Sequence, residues 1–336
     1  MKVLAPGKLI LSGEHAVVHG HPALAMAVNR YVTTIAMPHA RPHISFDLSD
    51  LSYRKQLSLA TLHDLKDRLK RKYKRFVSGD FSIRDVLQKP VELAQVAFSL
   101  FFEVLNIKLT QGMKLHVQST IPIGCGMGSS AATILSVVHA IANHLDLDLS
   151  PELFFQLGLE AENMQHGHSS GLDLRVSLHG GCLYINEGQI SSRSIPSMPM
   201  YLVNTGLPKT TTGECVETVA PYFKTSAIGD DFAAVTNAMD AAFQAEHLPQ
   251  AMSAIRENHQ LLTQIGVVPQ AVQHFISEVQ HINGAAKICG AGAVAGDAAG
   301  IVLILTEDEK SLSALCERHH YALLPIAGES RGVHII

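Results

Sequence analysis

Apolar and polar positions alternate along "MKLHVQS": Met113, Leu115 and Val117 share one side, and Lys114, His116 and Gln118 the other. That period of two predicts a half-buried strand, of the kind more typical of antiparallel than of parallel sheets. After a glycine-rich link the period changes, because "SAATILSVVHAIANHL" sets Ile134, Val138, Ile141 and Leu145 along one helical face. Glycines therefore join a strand to a helix. "VELAQVAFSLFFEVL" reads as another helix, and Ser150, Pro151 and Glu152 as the N-cap, first position and dipole-matched acid of a helix running to about Met164 and ending near Gly167. Nearer the start, "KVLAPGKLILSGEH" predicts two short strands broken at Pro6 and Gly7, and "VVHGHPALAMAV" adds a turn at Gly20 and Pro22. The second half carries helical patterns from about Asp230 to Gln280, a glycine-rich "GAGAVAGDAAG", the apolar strand "IVLIL" and a capping-box pattern at Thr306 and Glu309.

One segment is strongly biased in charge. From Arg54 to Arg75, leucines at 57, 62, 65 and 69 recur at roughly helical spacing among lysines and arginines. Such a basic amphipathic helix either meets an anionic surface or is a solvated face over a local core. The rest of the chain favours the second reading, since a net charge of −4 gives no general attraction for nucleic acid or membrane. With 336 residues, 47% hydrophobic and 17% charged, the chain is globular and long enough for two cores; the polar "SSRSIPSMP" near 191–199 is the natural boundary between them. Five cysteines without a CxxC pair argue against a disulfide framework or zinc knuckle, and 19 histidines include no HExxH. Lacking an apolar leader or an eighteen-residue apolar run, the chain is expected in the cytoplasm.

Candidate chemistry concentrates in "IPIGCGMGSSAA", residues 121–132. Its glycines permit positive φ and close approach of a ligand to the main chain, and the helix that follows offers unpaired N–H groups to an anion. Neither a Walker A loop, which needs a lysine, nor a Rossmann fingerprint, which needs glycine where Ser129 stands, fits the spacing. A tight strand-to-helix connection and a phosphate cradle both remain open from this loop alone.

Taken in order, "APGKLILSGEHAVVHG", "PIGCGMGSSAA" and "GAAKICGAGAVAGDAAG" resemble the three motifs of the GHMP kinases, and "PALAMAVN", "AENMQHGHSSGLDLRVSLHGG", "LVNTGLPKTT" and "NHQLLTQIGVV" are similar to the mevalonate kinase branch of that superfamily. The resemblance implies a two-lobe α+β fold: a ribosomal-protein-S5-domain-2-like N-terminal domain, residues 1–195, and a ferredoxin-like α/β C-terminal domain, residues 196–336. It implies ATP- and Mg²⁺-dependent phosphorylation of the primary hydroxyl of (R)-mevalonate in isoprenoid synthesis. Phosphomevalonate kinase and a catalytically silent ligand sensor are the alternatives, and homodimers are common in the family. By the same resemblance Asp173 would take the hydroxyl proton with Lys8 beside it, Glu162 and Ser130 would bind Mg²⁺, and Gly124, Gly126, Gly128, Ser129, Ser130, Gly290 and Gly292 would surround the ATP phosphates. Glu14, His15 and Ser170 would line the acceptor pocket, His15 as a donor to the carboxylate. "GHSSG" lacks the proline common before the aspartate, which predicts a less rigid loop there.

Overall fold

The computed structural model describes residues 1–109, 111–122 and 124–336. Strand β1 (Val3–Ser12) pairs antiparallel with the long β2 (Ala23–His39), with register shifts between Pro6 and Gly7 and between Ile10 and Ser12. Pro6 therefore lies within one continuous strand instead of ending a first one, and the extra residues opposite it, Asn29 and Arg30, belong to β2, since such irregularities absorb residues without breaking the ladder. Next come β3 (His43–Leu48), β4 (Tyr53–Ser58), α1 (Leu59–Val77), α2 (Pro90–Val104), β5 (Gly112–Ser119) and α3 (Ser129–His144). They are followed by α4 (Pro151–His166), α5 (Leu172–His179), β6 (Cys182–Asn186) and β7 (Gln189–Arg193). Among the described residues the first sheet runs β4, β3, β5, β2, β1, with β6 and β7 continuing from the far end of β2. Strand β5 is antiparallel to β2, as its alternation predicts, but parallel to β3 on its other edge. Both of its neighbours are distant in sequence, and alternation reports burial on one face, not strand direction.

The basic segment starts as strand β4 and turns helical at Ser58, whose hydroxyl accepts the N–H of Thr61. In α1, Leu62, Leu69 and the stem of Lys66 are buried. Its charges meet acids on neighbouring helices: Lys66 Nζ lies 3.0 Å from Glu103, and Lys70 Nζ lies 2.8 Å from Glu103 and 3.0 Å from Glu160. This is a helix over a local core, with Lys66 and Lys70 paired to acids on α2 and α4. Ser150 caps α4 through the Leu153 N–H, with Pro151 in the first turn as the sequence predicts.

The second half contains β8 (Met200–Asn204), α6 (Thr212–Thr225), α7 (Ile228–Gln244), α8 (Leu248–Gln264), α9 (Gln270–His281), β9 (Ala285–Ile288), β10 (Ile301–Leu305), α10 (Glu309–His319) and β11 (Ala322–Pro325). Its antiparallel sheet has the order β11, β8, β10, β9. The predicted Thr306–Glu309 capping box does not form. Asp308 caps α10 by accepting from the Ser311 N–H, whereas the Thr306 hydroxyl accepts from Asp308 N–H, one residue short of the Glu309 N–H that the box requires. The tail then crosses back, and β12 (His334–Ile335) pairs with β1.

Helices α7 and α8 bind the two sheets together. Met239, Phe243 and Ile255 pack into the same core as Leu9, Met26 and Leu135, while Phe232, Leu262 and Phe275 join Val302 and Ile304 in a second one. Where β1 meets these helices, the Ser12 hydroxyl is buried 2.8 Å from Thr236 Oγ1 and accepts from Asn258 Nδ2 at 3.1 Å. The two hydroxyls and the Asn258 amide nitrogen thus satisfy one another, while Asn258 Oδ1 is buried without a partner among the described residues. Among the described residues no helix is long and apolar enough to cross a membrane.

Candidate active site

The glycine-rich loop ends where α3 begins. Gly124, Gly126 and Gly128 all take positive φ, and Gly128 opens α3 with no side chain capping its first turn. The leading N–H groups of the helix therefore lack a side-chain cap, and the positive end of the dipole is left to a ligand. Gly128 also has to be small: a Cβ there would lie 2.8 Å from Cγ of Lys8. Lys8, only 3% exposed, runs across the loop, donates from Nζ to the Gly126 carbonyl at 3.2 Å and reaches Asp173 Oδ1 at 3.1 Å. Asp173 stands in the first turn of α5. Strand β1 and helix α5 thus bring together two residues 165 positions apart, supplying the cation that a Walker loop would have carried within itself.

Beside this pair sits Glu162, 2% exposed at the end of α4. Burial and the neighbouring Asp173 carboxylate push its carboxyl well above the usual range, opposed by a 2.5 Å hydrogen bond from the Ser169 hydroxyl and by Lys8. Ser130 shares a 3.2 Å hydrogen bond with His166 Nε2, whose pKa burial lowers against the pull of Asp173. The loop before Asp173 is better tied than its missing proline predicts. Tyr73 donates to the Gly167 carbonyl at 2.9 Å, Ser169 N–H to Asn163 Oδ1 at 2.8 Å, and Gly171 N–H to the Ser169 hydroxyl at 3.0 Å.

At the other end, the Gly13–His15 corner is held from the opposite sheet. Lys287 on β9, fully buried, pairs with Glu14 Oε1 and donates to the Ile10 carbonyl at 3.3 Å. Glu14 Oε2 has no protein partner among the described residues, and its carboxyl is raised by burial against the pull of Lys287. His15 takes a positive φ of 63° and contacts the Ala291 carbonyl through Nε2 at 3.0 Å. A carbonyl only accepts, so Nε2 bears the proton, and with the pKa lowered by burial to about 4 the neutral ring leaves Nδ1 as a buried acceptor without a protein partner. In this tautomer His15 presents an acceptor at Nδ1 and has no free N–H for a carboxylate.

One cavity of about 410 Å³ joins these groups. Lys8, Glu14, His15, Gly124, Gly126, Gly128, Ser129, Ser130, Glu162, Ser170, Asp173 and Gly290 all line it. Gly292 does not: a Cβ there would meet the Val267 carbonyl at 2.2 Å, so this glycine serves packing of the third loop. Gly290 faces Gly126 directly, with a Cβ only 3.2 Å from its Cα. Sequence reading passed over Ser169, His166 and Lys287. The signal for Lys287 was a lysine inside an otherwise apolar strand, "AAKI", where an unpaired charge is rarely tolerated. Among the described residues no cluster of three His, Cys, Asp or Glu side chains forms a ready metal cage.

A cleft that sets an open helix N-terminus against a buried cation and a carboxylate has the parts that phosphoryl transfer requires. Residues 92–181 match the model of the GHMP kinases N terminal domain. The chain is 29% identical to the mevalonate kinase of Bos taurus, over 92% of its own length and 87% of that protein, and 32% identical to that of Homo sapiens over 62% of its own length, an alignment spanning 60% of the human protein. The crystal structure of Methanococcus jannaschii mevalonate kinase shares the fold with a TM-score of 0.80 at 23% identity, over 98% of each chain. Residues 92–181 thus carry a GHMP kinases N-terminal domain, and the chain as a whole is similar to mevalonate kinases in sequence and fold.

Proposed function

We propose that this chain transfers the γ-phosphoryl group of ATP to the primary hydroxyl of (R)-mevalonate, giving 5-phosphomevalonate and ADP. The carrying observation is the Lys8–Asp173 contact of 3.1 Å in the same cavity as the glycine loop, which gives a base for the hydroxyl next to a site for the phosphates. Asp173 accepts the hydroxyl proton as oxygen attacks the γ-phosphorus and the bond to the ADP oxygen breaks. Lys8, fixed by the Gly126 carbonyl, offers its ammonium to the charge on the transferring group. The N-terminus of α3 and the glycine backbone receive the remaining phosphates, and the apolar walls Leu48, Leu51, Leu87 and Val117 suit a nucleobase.

Two hard oxygen donors, the Glu162 carboxylate and the Ser130 hydroxyl, face the phosphate end of the cavity, and Glu162 lies crowded against a second carboxylate that a cation would relieve. That set fits Mg²⁺, which completes its shell with phosphate oxygens and water and would neutralise phosphate charge. Phosphomevalonate suits the cavity less well, since Lys8 and Lys89 are its lysine and arginine lining among the described residues. A cytoplasmic, homodimeric enzyme completes this reading, and unbridged buried thiols at Cys182, Cys215, Cys289 and Cys316 agree with a reducing compartment.

The test is ADP release with mevalonate, phosphomevalonate, homoserine and galactose in parallel, with Asp173→Asn as control. Turnover confined to another alcohol, or ligand binding without any turnover, sinks the assignment; undiminished turnover by the variant removes Asp173 as the base.

A further inference from the structure

A second cavity of about 350 Å³ adjoins the first, sharing Val17, Val18, His168, Ser169, Ser170 and Leu172 as common walls. Arg175 lines it, one helical turn beyond Leu172 on the same side of α5. Its guanidinium lies 3.9 Å above the ring of Phe155, on α4, and no protein carboxylate pairs with it among the described residues. Phe155 is held there because Gly171 leaves room: a Cβ on that glycine would sit 2.7 Å from Phe155 Cζ. The side chain is thus half-buried, fixed in place by cation–π contact, and its hydrogen-bonding edge is uncommitted.

An acidic acceptor alcohol needs a cation for its carboxylate, and the candidates can be taken in turn. Among the described residues lining either cavity, the lysines and arginines are Lys8, Lys89 and Arg175. Lys8 is engaged by Asp173 and Gly126; Lys89 starts α2 beside Leu87 and Leu93, in the apolar part of the first cavity. His15 is neutral and presents an acceptor. Glu187 also borders the second cavity, but it is exposed at its rim, where solvent screens its repulsion.

We propose that Arg175 is the specificity residue of an anion subsite in this second cavity and receives the carboxylate of the acceptor while its hydroxyl reaches Asp173. This rests on the acceptor being an acid, as in the reading above. A guanidinium fork matches a carboxylate through two parallel N–H donors, so the subsite selects acidic alcohols over neutral ones of the same length.

The experiment measures kcat and KM for mevalonate and for its neutral reduced analogue, 3-methylpentane-1,3,5-triol, in the wild type, Arg175→Ala and Arg175→Lys. Arg175→Ala should raise the mevalonate KM tenfold or more and lower the preference for mevalonate over the triol by a similar factor. Arg175→Lys should recover part of that preference. Thermal unfolding of each variant separates loss of fold from loss of recognition. A preference unchanged within twofold in folded Arg175→Ala overturns the subsite. If the wild type uses a different carboxylate-bearing alcohol, such as homoserine, the mevalonate assignment fails while that alcohol's KM still decides the role of Arg175. Use of neutral alcohols alone overturns both.

Discussion

Lys8 Nζ stands 3.1 Å from Asp173 Oδ1 and 3.2 Å from the Gly126 carbonyl, so a single buried ammonium ties the proposed base to the phosphate loop. Replacing Asp173 by Asn keeps the shape and removes the proton acceptor. Steady-state assays should show kcat lowered by roughly 10²- to 10⁴-fold, the range of a positioned general base. Circular dichroism should show the fold retained, and a kcat within threefold of wild type would contradict the role.

The buried pair Glu14–Lys287 links the Gly13–His15 corner to β9. Removing one member leaves an uncompensated buried charge, so Lys287→Met should cost about 3–5 kcal/mol in denaturant unfolding. The double variant Glu14→Gln/Lys287→Met should regain much of that loss, because neither charge is then stranded. Additive losses would show that the pair is not coupled.

Two glycines of similar appearance separate by their surroundings. A Cβ on Gly126 would approach the Cys289 carbonyl to 2.7 Å and force apart the loops facing the cavity, so Gly126→Ala should raise the KM for ATP. Gly292 packs against Val267 outside the cavity lining, with φ of 64°. Gly292→Ala should therefore chiefly lower the unfolding midpoint. Titration of ATP and thermal denaturation on both variants distinguish the two outcomes.

Acid should weaken the fold through buried neutral imidazoles. His139, stacked on Phe154 at 3.5 Å, has its pKa lowered by burial to about 3, and burial lowers His259 to about 4. Between these values and the ordinary 6.5 the unfolded chain binds the extra protons, so stability is full above pH 6.5 and falls as pH drops below it. The slope approaches about 1.4 kcal/mol per pH unit for each such group. His139→Leu should flatten the curve between pH 6.5 and 5 in urea unfolding; an unchanged slope would clear this residue.

Local physics made much of the fold legible. Ser150 with Pro151 starts α4 because cap and ring geometry act within one turn, and positive φ at the glycines of residues 124–128 follows from the missing Cβ. The failures are equally local in origin. Pro6 looked like a strand end and lies inside one continuous strand, and the Thr306 hydroxyl accepts a nearer N–H than a helix cap would. In each case a short-range signal had two outcomes and packing chose between them.

The sequence by itself determined the periodicities, the starts of α2, α3 and α4, the glycine loops and, through motif resemblance, the membership of Lys8, Glu162 and Asp173 in one site. Only the tertiary structure decided that β5 runs parallel to β3, that Lys287 holds Glu14 across 273 positions, that His15 presents an acceptor, and that Arg175 lies uncommitted over Phe155. The reason is physical: propensity and capping are decided within a few residues, whereas desolvation, tautomer choice and ion pairing depend on which distant groups the packed chain brings within a few ångströms.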